Sequence, residues 1–495
     1  MKDYLDQPYC HDLPTLPQPQ IGKVLVTGAT GYIGGRLVPE LLKRCYDLRV
    51  MVRSKSEEQI QRWPNTEIVE ADTLNPDSLD KALNGVKVAY YLIHSLLLGR
   101  KEFQDADLQA AINFRKACEK NKVKRIIYLG GLGDTSTKLS KHLRSRAQVA
   151  KELSNGIIPV TVLRAAIIIG SGSASYEIIK NLVKNLYIFL IPKWARTNCQ
   201  PIAIRDVIKY LVGVLEIDET KGKIFDIGGP EKLSYKEMLK IFASVLHKRR
   251  LFINSIFSNR RIIGYLASLL TPVPAKIVIS LFGSGANEVI CMNNEIKKYL
   301  KFKNTSFSES IIWALDREEQ DKMRTRWSDS YPPAHELAIK LHELPPPKYV
   351  GGHSMLTTKS ATSLYNSFLH IGGEEGWASS NWMWKFRGAI DKILLGVGIS
   401  RGKRRTKNLR INDVIDFWRI EDLQVNKKLL LRAEMKIPGK AWLEFAIDEL
   451  ASYNKLSINA YFHNKGFIGR IYWYFFLPFH WFIFRDLIKM IEKRS

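Results

Sequence analysis

Residues 26–37 read "VTGATGYIGGRL", and this stretch decides the fold. Three glycines, Gly28, Gly31 and Gly34, recur at every third position. An apolar run, "KVLVTG", leads into them and an amphipathic stretch follows, so the pattern predicts a strand, a tight turn and the opening of a helix. In that arrangement Gly28 permits the turn, Gly31 lets the backbone approach a pyrophosphate, and Gly34 lets helix and sheet pack closely. The helix start offers N–H groups and the positive end of its dipole to phosphate. The expectation is dinucleotide binding, with Thr27, Gly28, Thr30, Gly31, Tyr32, Ile33 and Gly34 in the cradle.

The same alternation continues outward. "DLRVMVR", "TEIVEAD", "VKVAYYLI", "KRIIYLGG" and "VTVLRAAIIIG" read as buried strands, and segments such as "LQAAINFRKACEKN" between them read as helices. Strands alternating with helices predict a Rossmann-type doubly wound parallel sheet, an α/β fold covered on both faces. Past Gly170, "FDIGGPEKLSYKEMLKIFASVL" predicts a strand, a turn and a helix, with Ser234 and Glu237 as a capping box.

The expected divisions are an irregular lead-in at 1–20, a nucleotide-binding domain with a substrate-side lobe at 21–300, a connector at 301–350, and a second domain at 351–495. In this last part "KLLLRAEMKIPGKAWLEFAI" reads as two extended runs joined at Pro438-Gly439, and "NKLSINAYFHNKG" as another strand. Trp481, Phe484, Leu487, Ile488 and Ile491 fall at helical spacing near the end of the chain. The expectation is an α+β domain built on an antiparallel sheet.

Two features around the cradle bear on the cofactor. The second strand ends in "VMVRS", where Arg53 stands in place of the acid that would meet a ribose 2′-hydroxyl. Arg36 lies early in the first helix. Two guanidiniums suit a 2′-phosphate, so NADP is expected, with NAD the alternative. The competing reading is that either arginine covers solvated surface. Asp72, ending "VEAD", falls where an acid often meets the adenine edge, and His94, in "YLIHS", is a candidate pocket residue or a structural histidine.

The 75 Lys and Arg against 49 Asp and Glu leave a net charge of +26, distributed along the chain. Such a field favours anionic partners: a phosphorylated cofactor, an acidic membrane surface or nucleic acid. No zinc-finger or RRM-type signature supports the last, so no nucleic-acid partner is expected. A basic protein that is merely soluble is the other reading. The five cysteines are widely separated without CxxC spacing, which predicts small buried apolar residues in a reducing cytoplasm and no metal site. "MKDYLDQPYC" lacks the pattern of a secretion signal.

"TGATGYIG", "EAD", "YLGGLGD" and "LRAAIIIGSGSAS" together resemble the short-chain dehydrogenase/reductase superfamily, in its atypical, NmrA-like branch. The resemblance spans roughly residues 21–300. The C-terminal part, with "DFWRIEDL", "LRAEMKIPGKAWLEF" and "GFIGRIYWYFFLPFH", resembles an uncharacterised domain fused to such reductases. That domain is similar to the START/SRPBCC-type helix-grip fold, which implies an enclosed apolar ligand.

Active members of the superfamily use Ser, Tyr and Lys. The resemblance places the serine within "YLGGLGD", at Gly130 and Gly131, and the tyrosine and lysine at His142 and Arg146. An asparagine expected in the preceding helix corresponds to Asp107 or Asn113. His142 is the candidate proton donor, since imidazole titrates near 6.5, although a neighbouring cation lowers that value. Arg146 is the candidate holder of ribose or phosphate. The alternative for both is a solvated basic helix face in "HLRSR".

Two functions follow from the resemblance: an oxidoreductase acting on a hydrophobic carbonyl or quinone-like small molecule, or a dinucleotide sensor, ligand-binding or assembly protein without turnover. "IYWYFFLPFHWFIF", residues 471–484, has three readings: core leading into the closing helix, an interfacial membrane segment, or a transmembrane helix interrupted by Pro478 and His480. The basic run "RGKRRTKNLR" at 401–410 is read as an aid to acidic-lipid contact or as a solvated loop. The expected location is cytoplasmic, with peripheral attachment to the inner face of the membrane as the variant.

Overall fold

The computed structural model describes residues 7–53, 55, 57–93, 102–133, 139–319, 339–373, 376–377, 381–394, 396, 398, 409 and 411–495. The chain divides into two compact units, 1–270 with 276–335 and 271–275 with 336–495.

The first unit is built on β1 (Val24–Val26), β2 (Leu48–Val52), β3 (Glu67–Glu70), β4 (Val88–Tyr91), β5 (Arg125–Gly131), β6 (Val160–Ala165) and a last strand at Ile224–Ile227. Their spatial order is Ile224–Ile227, β6, β5, β4, β1, β2, β3, and every pairing is parallel. β1, β2 and β4 are buried at every position, as a sheet covered on both faces requires. The helices of this part include α1 (Gly34–Lys43), α2 (Glu57–Arg62), α3 (Pro76–Leu83), α4 (Glu102–Lys120), α5 (Lys141–Leu153), α6 (Ala174–Asn185) and α7 (Ile204–Leu215).

Alternation along the strands divides the core in two. Val24, Val26 and Val50 face Leu37 and Leu41 of α1 and Val207 and Leu211 of α7. Leu25, Ala89 and Ile126 face the other way, onto Leu79, Phe114 and Leu153. The strand order runs outward from β1 through β2 to β3 and restarts on the other side at β4. This opens a crevice at the carboxyl ends of β1 and β4, where doubly wound sheets take ligands.

The described part of the lead-in, from residue 7, carries core contacts. Tyr9, Cys10 and Leu13 are buried in the face that α1 and α7 cover. Lys209 Nζ reaches Asp12 at 2.6 Å, and buried Glu216 accepts from Arg44 and Tyr46 at 2.7 and 3.0 Å. Four of the five cysteines are buried as expected. Cys45 is the correction: it is exposed, at a left-handed φ of 63° just past α1. The capping box is present, with Ser234 and Glu237 satisfying each other's backbone N–H.

The second unit carries a six-stranded antiparallel sheet in the order Tyr349–Thr357, Asn454–Asn464, Gly439–Glu449, Lys428–Ala433, Trp418–Gln424, Val414–Ile415. The runs read on either side of Pro438-Gly439 pair as neighbours. A 29-residue helix, Gly466–Arg494, packs on this sheet through Trp473, Phe484, Leu487, Ile488 and Ile491, while Trp481 is exposed. It passes through Pro478 without stopping, at the loss of one backbone bond. The aromatic run at 471–484 is two-sided: Trp473, Ile483 and Phe484 are buried, and Tyr474, Phe475 and Phe482 are exposed. Among the described residues no helix is long and apolar enough to cross a membrane. The basic run at 401–410 lies outside the described residues, apart from Leu409.

Candidate functional site

The glycine loop leaves β1 in the conformation its sequence requires. Gly28 has a φ of 61°, and a β-carbon there would lie 2.7 Å from the Leu92 carbonyl oxygen. A β-carbon on Gly34 would run into the Gly28 carbonyl and the Ala29 backbone. No side chain caps α1, and its first turn holds no carboxylate. The positive end of the helix is therefore left to an outside anion, and the narrow loop has the shape that brings backbone N–H groups against a pyrophosphate.

The other cradle residues divide between ligand and scaffold. The Thr27 hydroxyl is fully buried, donating to Tyr90 O at 2.9 Å and accepting from Leu92 N at 3.0 Å, so it ties β1 to β4 and does not face the crevice. Arg36 corrects the expectation more sharply. It is 1 % exposed, donates to Tyr32 O at 3.1 Å and Ser171 O at 2.8 Å, and lies 4.1 Å above the Tyr32 ring. Its guanidinium braces the loop from inside and presents no fork to a solvated 2′-phosphate. Arg53 is exposed immediately past β2. Asp72 follows β3, where its carboxylate accepts from Leu74 N at 2.9 Å in a tight turn. His94 lies outside the described residues.

α5 begins at the cap Ser140, whose hydroxyl accepts from Leu143 N at 3.2 Å. His142 and Arg146, one helical turn apart, are both half-buried and both line one cavity, whereas Arg144 is exposed. Arg146 stands 5.7 Å from the centre of the Tyr128 ring. A β-carbon on Gly131 would be 3.3 Å from Leu143 and 3.6 Å from Arg146, so β5 and α5 approach closely there. Of the two candidates in α4, Asp107 is buried and accepts from Ser145 of α5 at 3.2 Å. Asn113 is turned away, donating to Thr73 O at 2.9 Å.

The cavity has a volume of about 650 Å³. It starts at the carboxyl ends of β5 and β6 and reaches Tyr32 and Ile33 of the glycine loop on one side and α6 on another. A lobe from residues 186–195, 235–270 and 277–289 completes it. Its walls are mostly aliphatic and aromatic, Ile179, Leu182, Trp194 and Phe282 among them, with few polar groups. Sequence reasoning missed Ser173, Trp194 and Tyr235 as lining residues. Their only signal was the turn-and-helix texture past Gly170, which does not say where a side chain points. Burial pushes the Tyr32 phenol up to about 12, so it stays protonated across neutral pH.

A family model described as NAD(P)H-binding matches residues 28–182, and one described as a protein of unknown function (DUF2867) matches residues 345–487. The divinyl chlorophyllide a 8-vinyl-reductase of Arabidopsis thaliana chloroplasts is 24% identical over 314 residues, covering 58% of this chain and 74% of that one. Subunit 9 of the NADH dehydrogenase [ubiquinone] 1 alpha subcomplex, from Arabidopsis thaliana mitochondria, is 24% identical over 231 residues, covering 45% of this chain and 58% of its own length. Among solved structures, the Citrobacter sp. triphenylmethane reductase complexed with NADP(H) aligns with a TM-score of 0.49 at 19% identity, over 59% of this chain and 99% of that one. The chain thus carries an NAD(P)H-binding domain over residues 28–182 and a DUF2867 domain over residues 345–487.

Proposed function

We propose that the NAD(P)-binding domain is an NADP(H)-dependent oxidoreductase acting on a hydrophobic carbonyl or quinone-like compound held in the 650 Å³ cavity. The single observation that carries this reading is the continuity of that apolar cavity with the glycine loop, His142 and Arg146. The loop from Gly28 to Gly34 holds the pyrophosphate through backbone N–H groups, and Arg53 meets a 2′-phosphate. When bound, a reduced nicotinamide supplies a hydride, that is, two electrons and a proton. The apolar walls exclude water and orient the substrate by shape. With the cofactor bound, a ring nitrogen of His142 would give the carbonyl oxygen the proton that accompanies the hydride, so that the reduced substrate gains two electrons and two protons in all. Arg146 holds the ribose or a phosphate, the task that lysine performs in the resembled enzymes. The test is NADPH oxidation with lipophilic quinones and long-chain aldehydes. Activity lost on filling the cavity, as in Ala166→Trp, supports the reading, and wild-type chain that oxidises no NADPH with any of them opposes it.

A second reading is favoured by one observation, the absence of the family's Ser-Tyr-Lys set: the domain holds dinucleotide as a sensor and the cavity holds a ligand that is not turned over. In both readings the DUF2867 domain is a helix-grip-like ligand domain of START/SRPBCC type. It works at a membrane surface, in keeping with the exposed aromatic side of the helix Gly466–Arg494.

A further inference from the structure

The cavity wall includes a two-stranded parallel ribbon, Ile188–Pro192 paired with Leu251–Ser255. Alternation sends Phe189 and Phe252 inward, where their rings stack at 5.2 Å. It sends Ile188, Leu190, Leu251 and Ile253 outward, with Leu251 opposite Ile188 and Ile253 opposite Leu190. That outer face is not polar, as a ribbon face turned to water ordinarily is. Leu190 is 65% exposed and Leu251 55%, and Ile256 just beyond is fully exposed. Phe257 and Leu266 extend the patch. Ile188, Leu190, Phe257 and Leu266 also line the cavity, and side chains that are both lining and exposed mark its mouth.

The charges around this mouth have one sign. Residues 178–205 and 238–287 contain no Asp or Glu. The same two segments expose Lys184, Lys193, Lys248, Arg249, Arg260 and Arg261. A second copy of this face would bring like charges together, whereas the headgroups of an anionic bilayer complement them. Large aliphatic and aromatic side chains bounded by Lys and Arg are what an interfacial surface requires: the apolar groups enter the acyl boundary and the cations stay with the phosphates.

We infer that the mouth of the cavity docks on a bilayer containing anionic phospholipid, through Ile188, Leu190, Leu251, Ile253, Ile256 and Phe257. A lipophilic substrate then passes between the hydrocarbon layer and the cavity without crossing water. The identity of the cargo rests on the reading of the cavity as a substrate site, but the docking surface does not.

The test uses the full chain with Cys45→Ser, so that only an introduced cysteine is exposed. An environment-sensitive fluorophore is attached at Ile256→Cys. In a second sample it is attached at Ile157→Cys, an exposed position entering β6 at the opposite, amino edge of the sheet. Phosphatidylcholine vesicles with and without phosphatidylglycerol are added, flotation is followed, and NADPH binding is measured in parallel. The expected result is flotation only with phosphatidylglycerol, with a blue shift at 256 and none at 157. Ile253→Glu combined with Ile256→Glu weakens vesicle binding about tenfold or more while NADPH binding is unchanged. The inference is overturned by flotation without a shift at 256, by no flotation at all, or by a shift at 256 that depends on protein concentration without vesicles. Loss of NADPH uptake in unsubstituted chain would instead overturn the function proposed above and leave the docking result readable.

Discussion

A β-carbon on Gly28 would stand 2.7 Å from the carbonyl oxygen of Leu92, so the exit of β1 and the exit of β4 touch through a residue that has no side chain. With φ at 61°, any other residue adds backbone strain to that collision. Gly28→Ala is expected to cost about 2–4 kcal/mol in stability, from strain and overpacking combined. It should also abolish NADPH binding by moving the loop. Chemical denaturation and fluorescence titration check the two effects separately.

Arg36 and Arg53 look equivalent in sequence, and the structure separates them. Arg53→Ala should weaken NADPH binding about tenfold or more through the lost charge-assisted bonds, with NADH binding nearly unchanged. Arg36→Ala should leave the NADPH-to-NADH preference as it is. It should lower stability by about 1–3 kcal/mol, since the buried carbonyls of Ser171 and Tyr32 lose their donor. Titration with both cofactors, beside thermal melts, decides between these outcomes.

The difference between those two arginines shows what sequence reading reaches. β1 and β4 were legible because strands buried on both faces are apolar without a break, and the other strands because their apolar runs alternate with helical stretches. The Ser234–Glu237 capping box was legible because its partners are three residues apart. The side of α1 on which Arg36 falls depends on Ser171, which belongs to another part of the chain. The cavity was out of reach for the same reason, since Ile33, His142, Leu182 and Phe282 converge only through the fold. Tyr9 and Leu13 were passed over because a short irregular segment packs without any period.

His142 lines the cavity at the position from which the resemblance expects a proton. If it is the acid, His142→Ala should lower kcat about a hundredfold, within the range usual for a lost general acid, with the KM for NADPH unchanged. An unchanged kcat would assign the proton elsewhere, with Tyr32 and Tyr235 the next lining hydroxyls to substitute.

His480 gives the second unit a pH dependence of definite sign. Its ring stacks on Phe484 at 5.4 Å and meets Trp473 edge-on at 5.3 Å, and burial lowers its pKa from 6.5 to about 4. Between those values the unfolded chain binds the proton and the folded chain does not. Stability is therefore complete above pH 6.5 and falls as pH drops toward 4, by about 2 kcal/mol once partial exposure is discounted. Thermal melts from pH 7.5 to 4.5 should show this loss, and His480→Phe should flatten it.

Native mass spectrometry of the full chain, purified without added ligand and then supplied with NADPH, shows whether the loop from Gly28 to Gly34 holds a dinucleotide. One dinucleotide per chain is expected, retained together with a hydrophobic small molecule that occupies the cavity beside His142. A chain that holds no dinucleotide even with NADPH in excess would contradict the reading of Gly28 to Gly34 and the function built on it.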